Sequence, residues 1–128
     1  MRRFGLYLWL EEHGTHLIHR DDLAAWRALV PYGKVFKLRQ QVGGMLELGY
    51  GERTFRILPD LWRETQDVLF GVGDEVTVLT GETTAGAVIQ ESLWHFKREQ
   101  VFYLVWKQGR RSTKRYFKEE LRMVSPRP

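Results

Sequence analysis

The most pointed chemistry in this chain is cationic. Lys107, Arg110, Arg111, Lys114, Arg115 and Lys118 follow one another with no acid among them, and Trp106, Tyr116 and Phe117 are interleaved. Guanidinium and ammonium groups pair with phosphates, and aromatic rings stack on bases, so these residue types on one hairpin suit a nucleic-acid contact. The competing reading is a solvated hairpin tip whose aromatics belong to the core. Glu64, Asp67, Asp74, Glu75, Glu82 and Glu91 fall in a stretch with no base, and they offer those cations a counterpart within the chain.

A second constellation is His13, His16 and His19, with Glu11, Glu12, Asp21 and Asp22 nearby. Imidazole and carboxylate are ligands that suit zinc or nickel. On a regular helix this spacing does not converge, and Gly14 interrupts any helix here, so only a loop would gather the three rings. No recognised metal motif is matched, and the three histidines stay weak candidates with no metal or cofactor assigned. Glu11-Glu12 or Asp21-Asp22 would serve acid–base chemistry only if burial raised one pKa. Asp21-Asp22 reads more simply as the cap of a following helix. His95, between Trp94 and Phe96, reads as a strand histidine. No Gly-x-Ser-x-Gly, phosphate-loop or dinucleotide pattern occurs, and the expectation is a protein that is not an enzyme.

The composition agrees with a folded, water-facing chain. Its 128 residues imply one domain or two very small ones; 43% are hydrophobic and 28% charged, and the net charge is +4. The absence of cysteine excludes a disulfide framework, a thiol nucleophile and cysteine-held metal. The longest apolar run, Leu6 to Leu10, is followed at once by Glu11-Glu12. It is too short to span a membrane and lacks the cleavage site of a signal peptide. A cytoplasmic protein with no membrane partner is expected.

The elements that would hold these residues are mostly strands. Phe4 to Leu10 is either a buried strand or the start of a helix, and Glu11 to His19 reads as a loop. Leu23, Trp26 and Val30 recur at helical spacing, and Pro31 and Gly33 stop that helix. From Lys34 the period becomes two. Phe36 and Leu38, then Leu46, Leu48 and Tyr50, then Phe55 and Ile57 alternate with polar residues, and Gly43-Gly44 and Gly51-Glu52 mark the turns. Pro59 to Phe70 reads as a short helix or turn plus a connector.

In the second half, Val76 and Val78 lie on one strand. Ala87–Phe96, Val101–Lys107 and Thr113–Phe117 form three more, and Lys118-Glu119-Glu120 turns into a last strand, Leu121–Val124, before the tail Ser125–Pro128. Phe102, Leu104 and Trp106 share one face of their strand, and Val101, Tyr103 and Val105 the other. The two halves share a faint pattern. A Gly-led strand, a strand–Gly-turn–strand hairpin and an acidic turn with Leu occur from Gly33 to Leu61 and again from Gly86 to Leu121, which suggests a duplicated β unit.

The second half also resembles small SH3-like barrels of the Tudor and KOW type. Gly73, Asp74, Val76, Val78, Gly86, Val88, Tyr103, Val105, Gly109, Tyr116, Phe117, Glu120 and Leu121 carry the resemblance. The segment Gly5 to Trp26 resembles the opening of an uncharacterised family of small bacterial proteins of unknown function. The expected fold is therefore α+β, mostly β. An N-terminal helix plus three-stranded meander (residues 1–70) is packed on an SH3-like five-stranded barrel (residues 71–128) as one compact body. The expected function is a non-enzymatic binding module that contacts nucleic acid or a ribonucleoprotein through the basic hairpin. The alternative is a protein–protein interaction module of accessory or immunity type, using an exposed aromatic patch or strand edge.

Overall fold

The computed structural model describes residues 1–124; the tail Ser125–Pro128 lies outside them. The chain divides into two compact units, Met1–Asp67 and a second beginning at Val68. Each is built on one five-stranded antiparallel sheet.

The first unit comprises β1 (Arg3–Tyr7), α1 (Leu23–Leu29), β2 (Val35–Val42), β3 (Met45–Tyr50), β4 (Arg53–Ile57) and β5 (Trp62–Thr65), in the sheet order β4-β3-β2-β1-β5. Strand β1 pairs with β2 on one side and with β5 on the other. All of Phe4 to Tyr7 is buried, which is why this stretch is apolar throughout rather than alternating. The helix delivers Trp26 to the centre of the unit. Its indole stacks on Phe36 with 5.2 Å between centroids and meets Phe55 edge-on at 5.3 Å and Tyr7 edge-on at 5.8 Å. Burial of these four rings supplies the main apolar drive of this unit.

The second unit comprises β6 (Glu75–Val78), β7 (Thr84–His95), β8 (Gln100–Lys107), β9 (Arg110–Arg111) and β10 (Leu121–Met123), in the order β10-β6-β7-β8-β9. Its core holds Val76, Val78, Ala87, Ile89, Val105 and Tyr103, all essentially inaccessible. The Tyr103 hydroxyl donates to the carbonyl of Phe70 at 3.2 Å, so this buried polar group is satisfied.

The two sheets have one topology. In each, the first strand lies between the second and the fifth, the third and fourth extend the other side, and a one-turn 3-10 segment (Pro59–Leu61 or Lys118–Glu120) precedes the fifth. The second strand of each carries a bulge, at Leu38/Gln40 and at Ile89/Glu91. The halves that share a faint sequence pattern thus share a strand order.

The expected architecture needs correction. The helix does not open the fold, because β1 precedes it. The stretches read as a three-stranded meander are β2, β3 and β4, three members of a five-stranded sheet whose other members are β1 and β5. The second unit is not a closed barrel: among the described residues no ladder joins β9 to β10, nor β4 to β5 in the first unit. The chain is mostly β, with α1 as its one α-helix among the described residues. The helix is also shorter than its spacing suggested. Leu29, not Val30, is buried, and Val30 ends the helix in the left-handed region at φ 56°. No helix among the described residues is long and apolar enough to cross a membrane.

Candidate nucleic-acid interface

Strand register sorts the basic hairpin onto two faces. The turn Gln108-Gly109 has positive φ at both residues (51° and 78°), as a tight two-residue hairpin requires. Across it Lys107 pairs with Arg110 and Trp106 with Arg111. Directly opposed residues in an antiparallel pair point to the same side, so Lys107 and Arg110 share one face and Trp106 and Arg111 the other. After Arg111 the chain kinks and rejoins β8 through a bridge between Tyr103 and Tyr116, which leaves Tyr116 buried on the core side.

On the core-side face the lysines are occupied. The Lys107 ammonium donates to the Tyr116 hydroxyl at 2.9 Å and lies 5.4 Å from the ring centroid. The Lys114 ammonium lies 5.0 Å from the same centroid, forms a 3.0 Å ion pair with Glu120 and donates to the Thr80 hydroxyl at 3.3 Å. Glu120 in turn accepts from the backbone N–H of Phe117, and this bond and Lys114 hold its carboxyl below the usual carboxylate range. These lysines fasten the returning chain to the sheet. Lys118 opens the following 3-10 turn and is half-buried.

The outer face carries a different group. Phe102, Leu104 and Trp106 descend one side of β8, with Val88 paired to Trp106 on β7. Trp106 is 45% exposed, whereas Phe102 is 9% exposed. Arg115 covers Phe102 at 5.1 Å from its centroid, and Arg98 covers Phe117 at 4.1 Å. His95, Phe102 and Phe117 touch one another with centroids 6.0 to 6.3 Å apart. Arg111 reaches across β8 to Glu91, with 3.6 Å between Nη2 and Oε1. The face is an apolar ladder flanked by Arg98, Arg111 and Arg115, with Trp106 as its open ring. Arg98 stands outside the basic run, in the turn that joins β7 to β8. The only sequence signal for it is the apolar side of β8, which has to be covered by something.

The histidines are not brought together. His13 accepts from the backbone N–H of Leu10 at 2.8 Å, His19 accepts from the backbone N–H of Asp21 at 3.1 Å, and the His16 ring lies against Gly14. Among the described residues no three His, Cys, Asp or Glu side chains gather as a metal site. Glu11 is paired with Arg27 and Asp22 with Arg56, and each arginine draws its partner's carboxyl below the ordinary range. That is the opposite of the raised pKa a general acid needs. Beside Arg56 a cavity of about 320 Å³ is lined by His19, Gln40, Met45, Leu46 and Glu47.

What fold and face define is a two-unit β protein with a basic, partly aromatic sheet face. The chain belongs to a family of unknown function (DUF6960), whose model matches residues 1–122. This agrees with the resemblance of its opening segment to an uncharacterised family. No curated protein and no solved structure matches the chain, so the SH3-like resemblance gains no support.

Proposed function

We propose that this chain is a non-enzymatic binding module that contacts nucleic acid or a ribonucleoprotein through the outer side of its β8–β9 hairpin. A cytoplasmic setting goes with this reading. The observation that carries it is the pairing of an exposed Trp106 with Arg111 across the hairpin, next to Arg115 on the same face. A ring beside guanidinium groups combines a stacking surface with phosphate partners. Arg110, at the tip, adds an exposed cation at the edge. Lys107 and Lys114 have internal partners and support the hairpin instead.

Titration of the nuclease-treated protein with labelled oligonucleotides at two salt concentrations tests the reading. The expected result is micromolar or tighter binding that weakens steeply with salt and is lost in the Arg110→Ala, Arg111→Ala, Arg115→Ala triple variant. No binding at low salt sinks it. The half-buried Val88 and Leu104 beside Trp106 favour the second reading, a protein partner on the same face. That reading calls for a defined partner and weak salt dependence.

A further inference from the structure

We infer that the ligand of this face is single-stranded, with one unpaired base stacked on Trp106 and the adjoining backbone lying along the β9 side. This rests on the nucleic-acid reading above and narrows it. Three observations lead to it. Trp106 is the open ring of the ladder, and its neighbour Phe102 is already closed over by Arg115. A stacking ring is of use only to a base whose face is free, and in a duplex both faces of each interior base are covered.

The charge layout points the same way. Duplex binding relies on many cations facing a run of phosphates. Here register divides the basic run between two faces, and Lys107 and Lys114 are tied to Tyr116 and Glu120. What stays on the outer face is a narrow file, Arg111 then Arg115, beside the ladder from Trp106 to Phe102. Four residues of strand cover about 13 Å, room for a few nucleotides rather than a turn of duplex.

The third observation sets the orientation. Glu91 lies on β7 opposite Leu104, the next residue of the ladder after Trp106, and 3.6 Å from Arg111. Its carboxylate repels a phosphate there, while Arg111 and Arg115, the cations of this face, draw phosphates toward the hairpin side. The base therefore sits over β8 with its backbone on the hairpin side.

The test compares the 128-residue chain with its Trp106→Ala and Trp106→Tyr variants. Anisotropy is measured with labelled oligothymidylate of about 12 nucleotides, within the span a small β domain covers, and with a duplex of equal length. The expected result is tighter binding of the single strand. Trp106→Ala should lose about 5- to 150-fold on the single strand, the worth of one stacked base, and little on the duplex. Trp106→Tyr should recover most of that loss. Because Trp106 is half-exposed, both variants should keep the wild-type circular dichroism spectrum. Salt-sensitive binding that is equal or tighter for duplex, or that is indifferent to Trp106→Ala, overturns this inference and leaves the broader reading standing. Failure to bind either oligonucleotide at low salt overturns both.

Discussion

The carboxylate of Asp22 accepts three hydrogen bonds from Arg56: from its backbone N–H at 2.8 Å, its Nε at 2.9 Å and its Nη2 at 3.1 Å. Asp22 occupies the position before α1, where a capping bond to the helix is the usual use of an aspartate, yet it makes none. It ties the start of the helix to β4 instead. The hydrogen bonds from Arg56 are the main reason its carboxyl is held below the ordinary range, against the opposing effect of partial burial.

Asp22→Asn should therefore destabilise the first unit by about 1–2 kcal/mol at neutral pH, a charge-assisted network discounted for the exposed side of Arg56. A carboxyl with a depressed folded-state pKa adds stability above its unfolded value of about 3.9, and that stability is lost as pH falls through the folded value. The difference between wild type and Asp22→Asn in urea unfolding should be full at neutral pH and shrink in acid. A difference that stays constant down to about pH 2.5 would show that the charge is not what matters.

Gly5 and Trp62 supply a second prediction. Gly5 lies opposite Glu64 in the β1–β5 ladder. A Cβ on Gly5 would stand 2.5 Å from the carbonyl oxygen of Arg63 and 2.7 Å from the Trp62 ring. The ring could swing away, but the backbone oxygen could not. Gly5→Ala should cost at least the 1–3 kcal/mol typical of overpacking, read as a fall in the urea midpoint. A neutral outcome would mean that β5 can shift along β1 freely.

That contact also explains what the sequence hides. The alternation of β2, β3 and β4 and the turns at Gly43-Gly44 and Gly51-Glu52 are local, and they are legible in the residues. β1 is flanked by β2 and β5 and buried, so it carries no alternation to distinguish strand from helix. β5 follows Pro59 and a 3-10 turn, and its four residues have no pattern of their own. Pairing with Phe4–Tyr7, distant in sequence, makes them a strand. The basic hairpin shows a further limit. Adjacency along the chain is visible, but period two and the kink after Arg111 send neighbouring cations to opposite faces. The seating of Lys107 and Lys114 on Tyr116 depends on the Tyr103–Tyr116 bridge, which no local pattern announces.

Val30 carries a third prediction. It is a β-branched residue at φ 56° and ψ 72°, just before Pro31, and it is 67% exposed. The left-handed region costs an ordinary side chain roughly 1–2 kcal/mol, and glycine is the usual residue there at a helix end. Val30→Gly gives up no core contact. It should raise stability by about 1 kcal/mol once the added freedom of the unfolded chain is subtracted. The midpoint of urea unfolding should rise with an unchanged slope, and a lower midpoint would count against strain at this position.

The division of the hairpin cations gives the last. Lys107 and Lys114 both bear on Tyr116, so Lys107→Ala and Lys114→Ala should each lower stability by about 0.5–1.5 kcal/mol. Affinity for single-stranded oligonucleotide should change by less than about twofold, because both ammonium groups are engaged by Tyr116 or Glu120 away from the Trp106 face. Arg111→Ala and Arg115→Ala should do the reverse. Each removes a cation from the outer face, so affinity falls, and each lost phosphate contact should flatten the plot of log K against log salt by about 0.7. Arg111→Ala should stay near wild type in stability, since it gives up only a partly exposed pair with Glu91, whereas Arg115→Ala should lose about 0.5–1 kcal/mol by uncovering Phe102. The two classes are separated by measuring thermal midpoint and salt slope on the same samples. If the lysine variants lose affinity as strongly as the arginine variants, the ligand reaches around the hairpin tip and the outer face is not its seat.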